Sequence, residues 1–200
     1  MENEKENEIE DIKVILLGEM GVGKSNLLNA AADLRFDEIS KSTVTSTYIE
    51  KRMRILNKDY KVKLWDTAGQ EKYRALTKLF YQDSKVVIFV YDITNKKSFT
   101  ELNYWINEIK EALGNEPILG IVGNKSDLTD MIEVDEKTAN EFAKEKGIEL
   151  KLLSTKNEPK NFKKFLRKLV KDYLMKTGKL KENEGQLTKE DNNQGSCTIL

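Results

Sequence analysis

The chain has 200 residues, enough for one domain of ordinary size with short tails. Its 34 basic and 34 acidic residues balance, so it lacks the basic excess of a general nucleic-acid-binding protein. A single cysteine excludes an intramolecular disulfide, and the absence of histidine removes the commonest general base. The apolar runs are too short to span a bilayer and residues 1–10 lack a signal-peptide pattern, so we expect a cytoplasmic protein.

Residues 1–8 predict a disordered acidic arm, and a folded domain is expected over residues 9–176. In this domain, short continuous apolar runs alternate with helical patterns, which predicts a doubly wound α/β fold with strands buried on both faces. The runs are residues 12–17, 86–90, 118–122 and 148–153. Apolar side chains at helical spacing over residues 99–113 and 162–174 predict helices.

A hairpin is predicted where residues 48–56 and 60–65 flank Asn57-Lys58-Asp59, and it implies one antiparallel edge strand. Residues 177–200 are polar and aperiodic, which predicts a flexible C-terminal tail. Folds of this class bind ligands beyond the carboxyl ends of their strands.

The strongest motif is residues 18–25, GEMGVGKS, which fit the P-loop pattern between a predicted strand and a predicted helix. The glycines let several backbone N–H groups face one anion, and the helix N-terminus adds its dipole. Lys24 supplies a positive charge for the β- and γ-phosphates, and the Ser25 hydroxyl is a candidate Mg²⁺ ligand. The alternative, an ordinary glycine-rich turn, is disfavoured by the strand and helix on either side.

Residues 66–70, DTAGQ, follow the apolar run that ends at Trp65. A carboxylate at a strand end beside a phosphate site can hold Mg²⁺, so Asp66 is a second candidate ligand. The Gly69 N–H can approach a γ-phosphate closely, and Gln70 can orient an attacking water. An aspartate that merely ends a strand is the plainer interpretation, and the P-loop upstream argues against it.

Residues 124–127, NKSD, follow another predicted strand and indicate the base. Guanine presents an N1–H and an exocyclic amine together, and the Asp127 carboxylate can accept both, whereas adenine lacks that pair of donors. Asn124 can tie this loop to the P-loop, and the stem of Lys125 can lie along the base. Four residues are a weak match alone, but the three motifs together predict a guanine-nucleotide site.

These motifs resemble those of the Ras superfamily of small GTPases, and the Rab branch most of all. The matching segments are residues 18–25, 65–71, 90–94 and 123–127, with a weaker match at 154–156. The resemblance implies the P-loop small GTPase fold: a mostly parallel six-stranded sheet with one antiparallel edge strand and helices on both faces. It also implies a monomer that binds GTP or GDP with Mg²⁺, hydrolyses GTP and recruits effectors in vesicle traffic.

The resemblance assigns roles to single positions. Thr43 matches the Mg²⁺-binding threonine of a first switch segment, and Gln70 and Lys24 match catalytic positions. The positions that match nucleotide contacts are Gly21, Val22, Gly23, Lys24, Ser25, Asn26, Thr43, Asp66, Gly69, Asn124, Lys125, Asp127, Ser154, Thr155 and Lys156. The positions that match metal ligands are Ser25, Thr43 and Asp66.

An aromatic trio that reads out the nucleotide state in the family is matched by Tyr48, Trp65 and Tyr73, although half-buried core residues are the plainer interpretation. Where the family usually has Ser-Ala-Lys, this chain has Ser154-Thr155-Lys156, and the resemblance gives the Thr155 N–H to the guanine oxygen.

Two departures from the family bear on activity. Ala31 is placed where the family has a phenylalanine that contacts guanine, and Phe36 is nearby. Because a base–aromatic contact contributes ~1–3 kcal/mol, its loss predicts that nucleotide exchange is faster by roughly tens of times. Met20 occupies a P-loop position that is small in efficient members, and its bulk predicts crowding of Gln70 and slow hydrolysis.

The chain ends in CTIL, a C-a-a-X pattern in which leucine favours a geranylgeranyl group on Cys197; a chance terminal cysteine is the alternative. One lipid binds reversibly, at about 0.8 kcal/mol per buried CH₂, so a second membrane signal would help. Seven basic residues and one acid over residues 159–176 offer such a face, although a solvated helix face is the favoured interpretation.

The implied partners are an exchange factor, a GTPase-activating protein, effectors, a prenyltransferase and a lipid-shielding dissociation inhibitor, at the cytosolic face of an endomembrane or the plasma membrane. Two other functions stay open: a nucleotide-gated scaffold with little or no hydrolysis, and an ATP-dependent P-loop enzyme, against which Asp127 argues. Single-turnover hydrolysis tests the first, and nucleotide competition tests the second.

Overall fold

The computed structural model describes residues 10–37, 47–67, 80–180 and 197–199. These residues contain one sheet with the strand order β6-β5-β4-β1-β3-β2-β7. The strands are β1 (Asp11–Leu17), β2 (Thr47–Ile55), β3 (Lys58–Asp66), β4 (Val86–Asp92), β5 (Ile118–Asn124), β6 (Glu149–Leu152) and β7 (Cys197–Ile199). Strands β3, β1, β4, β5 and β6 are parallel, and β2 is antiparallel to β3, which confirms the predicted mostly parallel sheet.

Helices cover both faces of this sheet, as predicted. They are α1 (Lys24–Ala31), α2 (Lys96–Thr100), α3 (Leu102–Leu113), α4 (Glu136–Lys146) and α5 (Pro159–Lys176). Helices α1 and α5 pack on one face, and α3 and α4 on the other. Along β4, alternate residues enter the two cores, with Val86, Ile88 and Val90 on one side and Val87, Phe89 and Tyr91 on the other. Both faces being buried explains the continuous apolar sequence of this strand.

The β2–β3 hairpin is tighter than predicted. Ile55 pairs with Lys58, so the turn consists of Leu56 and Asn57 rather than residues 57–59. Leu56 has a φ of 52°, the left-handed conformation that a two-residue turn of this kind requires.

The helical stripe over residues 99–113 is divided between two helices. Helix α2 ends at Thr100 and α3 begins at Leu102. The intervening Glu101 keeps near-helical dihedral angles, φ −68° and ψ −12°, so the apolar spacing continues across the break and does not reveal it.

The structure departs from the predicted tail at two places. Leu180 is buried against the core on the α5 side, and its N–H donates to the Leu174 carbonyl, so the packed domain continues past α5. Strand β7 adds three residues to the sheet by antiparallel pairing with β2, beyond the six strands predicted. Such short apolar features within a polar segment carry too few residues to show a period.

Candidate nucleotide-binding site

The three predicted motifs meet at one edge of the sheet. The P-loop follows β1, Asp66 is the last residue of β3, and Asn124 is the last residue of β5. Because these strands are parallel, their carboxyl ends lie side by side, where doubly wound folds bind their ligands.

Two glycines allow the P-loop to lie close to its neighbours. A Cβ on Gly18 would lie 2.1 Å from the Val90 carbonyl oxygen, and one on Gly23 would lie 2.3 Å from Asn124 Nδ2. Both glycines also have positive φ, 150° and 100° respectively, which side-chain-bearing residues rarely adopt. The loop therefore needs glycine at these positions to contact β4 and residues 124–127, the predicted base-recognition loop.

Lys24 lies across the P-loop. Its Nζ donates to the carbonyl oxygens of Gly18 and Glu19, both at 2.8 Å, and the residue is 6% exposed. Burial lowers the pKa of Lys24 to about 8, while the charges of Asp66 and Glu19 act in the opposite direction. A phosphate group beside Nζ would raise this pKa again, because an anion favours the charged ammonium.

Ser25 and Asp66 place two side-chain oxygen atoms that could ligate a metal next to Lys24. Ser25 Oγ donates to Asp66 Oδ2 at 2.6 Å, and Asp66 is 2% exposed. Thr67 Oγ1 donates to the Leu16 carbonyl at 2.7 Å and holds the end of β3 beside β1. Mg²⁺ prefers oxygen ligands and commonly takes one or two carboxylates with phosphate oxygens, so this hydroxyl–carboxylate pair fits a magnesium ion.

Asn124 joins the base-recognition loop to the P-loop, as predicted. Its Nδ2 donates to the Val22 carbonyl at 2.9 Å. Its Oδ1 accepts from the Thr155 N–H at 3.2 Å and from Thr155 Oγ1 at 2.6 Å. The Thr155 N–H is thus bonded to Asn124, which differs from the predicted contact with the guanine oxygen.

Lys125 and Asp127 take different positions in this loop. Lys125 has a φ of 68° and its Nζ pairs with Asp92 Oδ2 at 2.5 Å, which fixes the direction of its stem. The Ser126 N–H donates to the Leu153 carbonyl at 3.2 Å and anchors the loop to the segment after β6. Asp127 is half-buried, and no other described residue bonds or pairs with its carboxylate, so this acceptor can take a ligand.

The prediction that Ala31 stands at the guanine-stacking position is wrong. Ala31 is 1% exposed and packs in the core between α1 and the sheet, so a side chain at this position is enclosed by the core. Phe36 is the aromatic residue at the site: it is 38% exposed, and Lys156 Nζ lies 6.0 Å from its ring centroid. The missing-aromatic argument for fast exchange therefore fails.

Asn26 explains how Phe36 is held there. Both ends of its carboxamide bond to the backbone of Asp37: Nδ2 donates to the carbonyl at 3.0 Å, and Oδ1 accepts from the N–H at 2.9 Å. The Asn26 side chain therefore orders the loop after α1. The nucleotide contact expected of Asn26 stays a prediction. No local sequence pattern indicates the two Asn26–Asp37 hydrogen bonds or the position of Phe36.

Phe36→Ala is expected to speed GDP release by roughly tenfold to a hundredfold, because an aromatic–base contact contributes about 1–3 kcal/mol. Release of a fluorescent GDP analogue measures the rate. Leu34→Ala is the matched control, since Leu34 is 46% exposed in the same loop and carries no ring. Equal release rates for the two variants would refute the stacking role.

An aromatic surface lies beside the site. The rings of Tyr48 and Trp65 stack with centroids 4.5 Å apart, and Phe80 lies 5.7 Å from Trp65. Two of the three predicted effector residues are therefore in contact. The predicted residues Thr43, Gly69, Gln70 and Tyr73 lie outside the described residues, and Cys197 is described only as part of the β7 backbone.

The fold and these loops define a P-loop nucleotide-binding domain, and comparisons with known proteins specify it further. The family model described as "Ras family" matches residues 13–175. The chain therefore belongs to the Ras family of small GTPases.

Several of the relatives that the chain matches carry Rab names. Ras-related protein Rab-21 of Geodia cydonium is 44% identical over 135 residues, which cover 68% of this chain and 59% of that protein. The chain thus spans less than two thirds of that relative. Ras-related protein Rab-2B of Dictyostelium discoideum is 35% identical over 184 residues, which cover 90% of this chain and 88% of the relative. Ras-related protein Rab-22A of Mus musculus is 38% identical over 135 residues, 68% of this chain and 70% of its own.

Proposed function

We propose that this chain is a membrane-anchored molecular switch that binds GTP or GDP with Mg²⁺, hydrolyses GTP and recruits effectors in vesicle traffic. The observation that supports it most is the convergence of Lys24, the Ser25–Asp66 pair and the Asn124–Asp127 loop at one sheet edge. Family membership supports the same activity.

Lys24 acts on the phosphates in this proposal. Its ammonium exchanges the two loop carbonyls for β- and γ-phosphate oxygens, a charge-assisted contact in a buried position. Ser25 and Asp66 would hold Mg²⁺, which when bound neutralises charge on the phosphate oxygens. Asn124 keeps the base-recognition loop in register with the P-loop, so that Asp127 meets the base while Lys24 meets the phosphates.

Hydrolysis is assigned to Gln70, which we propose orients the water that attacks the γ-phosphorus as the bond to the β-phosphate oxygen breaks. Gln70→Leu is expected to lower the single-turnover rate by about tenfold or more at unchanged GTP affinity. Gln82→Leu is the matched control, since Gln82 is exposed before β4. An unchanged single-turnover rate of GTP hydrolysis in Gln70→Leu would contradict this role of Gln70.

The second candidate function is a nucleotide-gated scaffold with little or no hydrolysis. The specific observation in its favour is Met20, which is 55% exposed on the P-loop. A flexible side chain of this size can crowd an attacking water or an inserted arginine. Single-turnover measurements separate the two functions: bound GTP that persists for hours in the wild type favours the scaffold.

Membrane attachment is proposed through Cys197, whose sulfur would form a thioether with an isoprenoid as diphosphate leaves and the thiol proton is released. The helices in the described ranges include none long and apolar enough to cross a membrane. The basic residues of α5 are partly engaged locally: Lys163 pairs with Asp33, and Lys168 pairs with Glu149 and Asp172. These ion pairs favour a solvated face for α5 over a lipid-binding one.

Regulators follow from this assignment. An exchange factor would release GDP, a GTPase-activating protein would speed hydrolysis, and a prenyltransferase and a dissociation inhibitor would handle the lipid. Effectors would contact Tyr48 and Trp65, because this stacked pair lies at the end of β3 next to Asp66.

A further inference from the structure

The outer edge of β2 carries a segment of the chain that the nucleotide site does not use. Strand β7 pairs with β2 in antiparallel fashion, and the register places Cys197 opposite Lys51, Thr198 opposite Glu50 and Ile199 opposite Ile49. Among the described strands, β7 alone lies on this side of β2. An edge strand without a neighbour presents a row of open backbone donors and acceptors, which is a template for pairing with an extended segment.

We propose that the outer edge of β2 is a docking surface for the chain's own C-terminal strand, and that the docked strand withholds this edge from partners. Ile49, which pairs with the end of β7, follows Tyr48 directly in the chain. Tyr48 is stacked on Trp65 in the aromatic surface. A docked β7 therefore covers the sheet edge beside the proposed effector surface, and an extended segment of a partner cannot pair with β2 until β7 leaves.

The pairing of β7 with β2 is short enough to be reversible. Three paired residues form a short ladder, which would not persist between separate molecules. Here β7 is tethered to the domain through residues 181–196, which can span up to about 50 Å. A tether of this length gives an effective concentration on the order of 1 mM, so even a weak strand occupies its edge for a substantial fraction of the time.

Charge favours the same occupant. Strand β2 carries Lys51, Arg52 and Arg54 against a single acid, Glu50. Lys51 pairs with Asp33 and Arg54 with Asp59, so among the described residues Arg52 is the cation of β2 that can attract the tether. Arg52 and Arg54 are exposed. The tether over residues 181–196 carries four acidic residues and two lysines. This long-range attraction weakens with added salt, because exposed charges are screened.

The docking has a consequence for anchoring that rests on the proposed function. Cys197 is the first residue of β7, so a lipid on its sulfur and the ladder with β2 compete for the same short segment. Insertion of the lipid into a bilayer draws the segment toward the membrane, and the β2 edge is then exposed to partners. Membrane attachment and access to this edge become coupled.

Amide hydrogen exchange on the full chain tests the docking. Thr198→Pro removes the central N–H of β7 and restricts its backbone, whereas Thr198→Val retains a strand-favouring residue and is the matched control. We expect outward-facing amides within residues 49–51 to exchange about twofold or more faster in Thr198→Pro than in the wild type or Thr198→Val. Amides of β2 that bond to β3 should not change.

A chain ending at Ser196 provides a second variant and should match Thr198→Pro. Equal exchange at residues 49–51 in all four chains overturns the proposal. The measurement needs neither lipid, effector nor hydrolysis, so its failure leaves the proposed switch function intact, and the reverse also holds.

Discussion

Lys24→Met is expected to lower the affinity for GDP and GTP by about a hundredfold or more. The Lys24 ammonium is buried beside the proposed phosphate site, and it makes two bonds to loop carbonyls that a phosphate can replace. Each charge-assisted hydrogen bond contributes about 1.5–3 kcal/mol, so losing two bonds to phosphate oxygens costs at least about 3 kcal/mol. Titration of the nucleotide-free protein with a fluorescent GDP analogue measures the loss.

Folding and binding can be separated in this variant. Burial lowers the pKa of Lys24 because the charged form is poorly solvated, so methionine removes a desolvation cost from the nucleotide-free protein. Because methionine also leaves the Gly18 and Glu19 carbonyls without the Nζ donor, the two effects oppose each other and the Tm without nucleotide should change little. Lys144→Met on the exposed surface of α4 is the control for loss of a lysine charge. Wild-type affinity in Lys24→Met would show that Lys24 does not contact phosphate.

Asp127→Asn is expected to change which base is bound. In the proposed site the Asp127 carboxylate accepts the N1–H and the exocyclic amine of guanine, whereas asparagine can accept only one of them and its amide group opposes the other. We expect GDP affinity to fall about a hundredfold or more, since two donors lose a charged acceptor. Xanthine carries an oxygen in place of the amine, so the asparagine amide can donate to it, and affinity for xanthosine diphosphate should rise.

The matched control is Asp130→Asn, which changes an exposed aspartate on the short helix that follows the same loop. Competition of guanosine, xanthosine and adenosine diphosphates for each variant gives the specificity directly. An unchanged guanine preference in Asp127→Asn would place the base elsewhere and reopen the ATP-dependent alternative.

The sheet was largely predictable because its residues obey local rules. Strand β4 is apolar throughout, since its side chains alternate between two buried cores. The P-loop and the loop carrying Asp127 follow strands whose apolar runs are plain in the sequence. Parallel order then forces their ends together, so motif positions along the chain translate into one site.

The position of the aromatic residue beside the site was not predictable in the same way. Ala31 is the last residue of α1, whereas Phe36 lies in the loop beyond this helix. Which of them faces the site depends on where α1 ends and on the Asn26 clamp to Asp37, a contact between residues that no periodicity relates.

Contacts between loops far apart in the chain could not be predicted from the sequence for a related reason. The bonds from Thr155 to Asn124 join residues 31 positions apart, and Asn124 reaches Val22 across 102 positions. Side-chain hydrogen bonds of this kind depend on strand order and loop geometry together. Strand β7 was hidden because three residues cannot display a strand pattern, and because its pairing depends on an edge formed far away in the chain.

The central claim is guanine-nucleotide binding, and the most direct measurement is to denature the purified protein and identify the released nucleotide by chromatography. We predict close to one guanine nucleotide per chain. Lys24 lies where it can bind phosphate, the Asp127 carboxylate is available to accept from the base, and Phe36 lies where it can pack against the base. GDP in excess indicates hydrolysis, and GTP in excess favours the scaffold. An adenine nucleotide, or protein that stays empty after incubation with GDP and Mg²⁺, would contradict the claim.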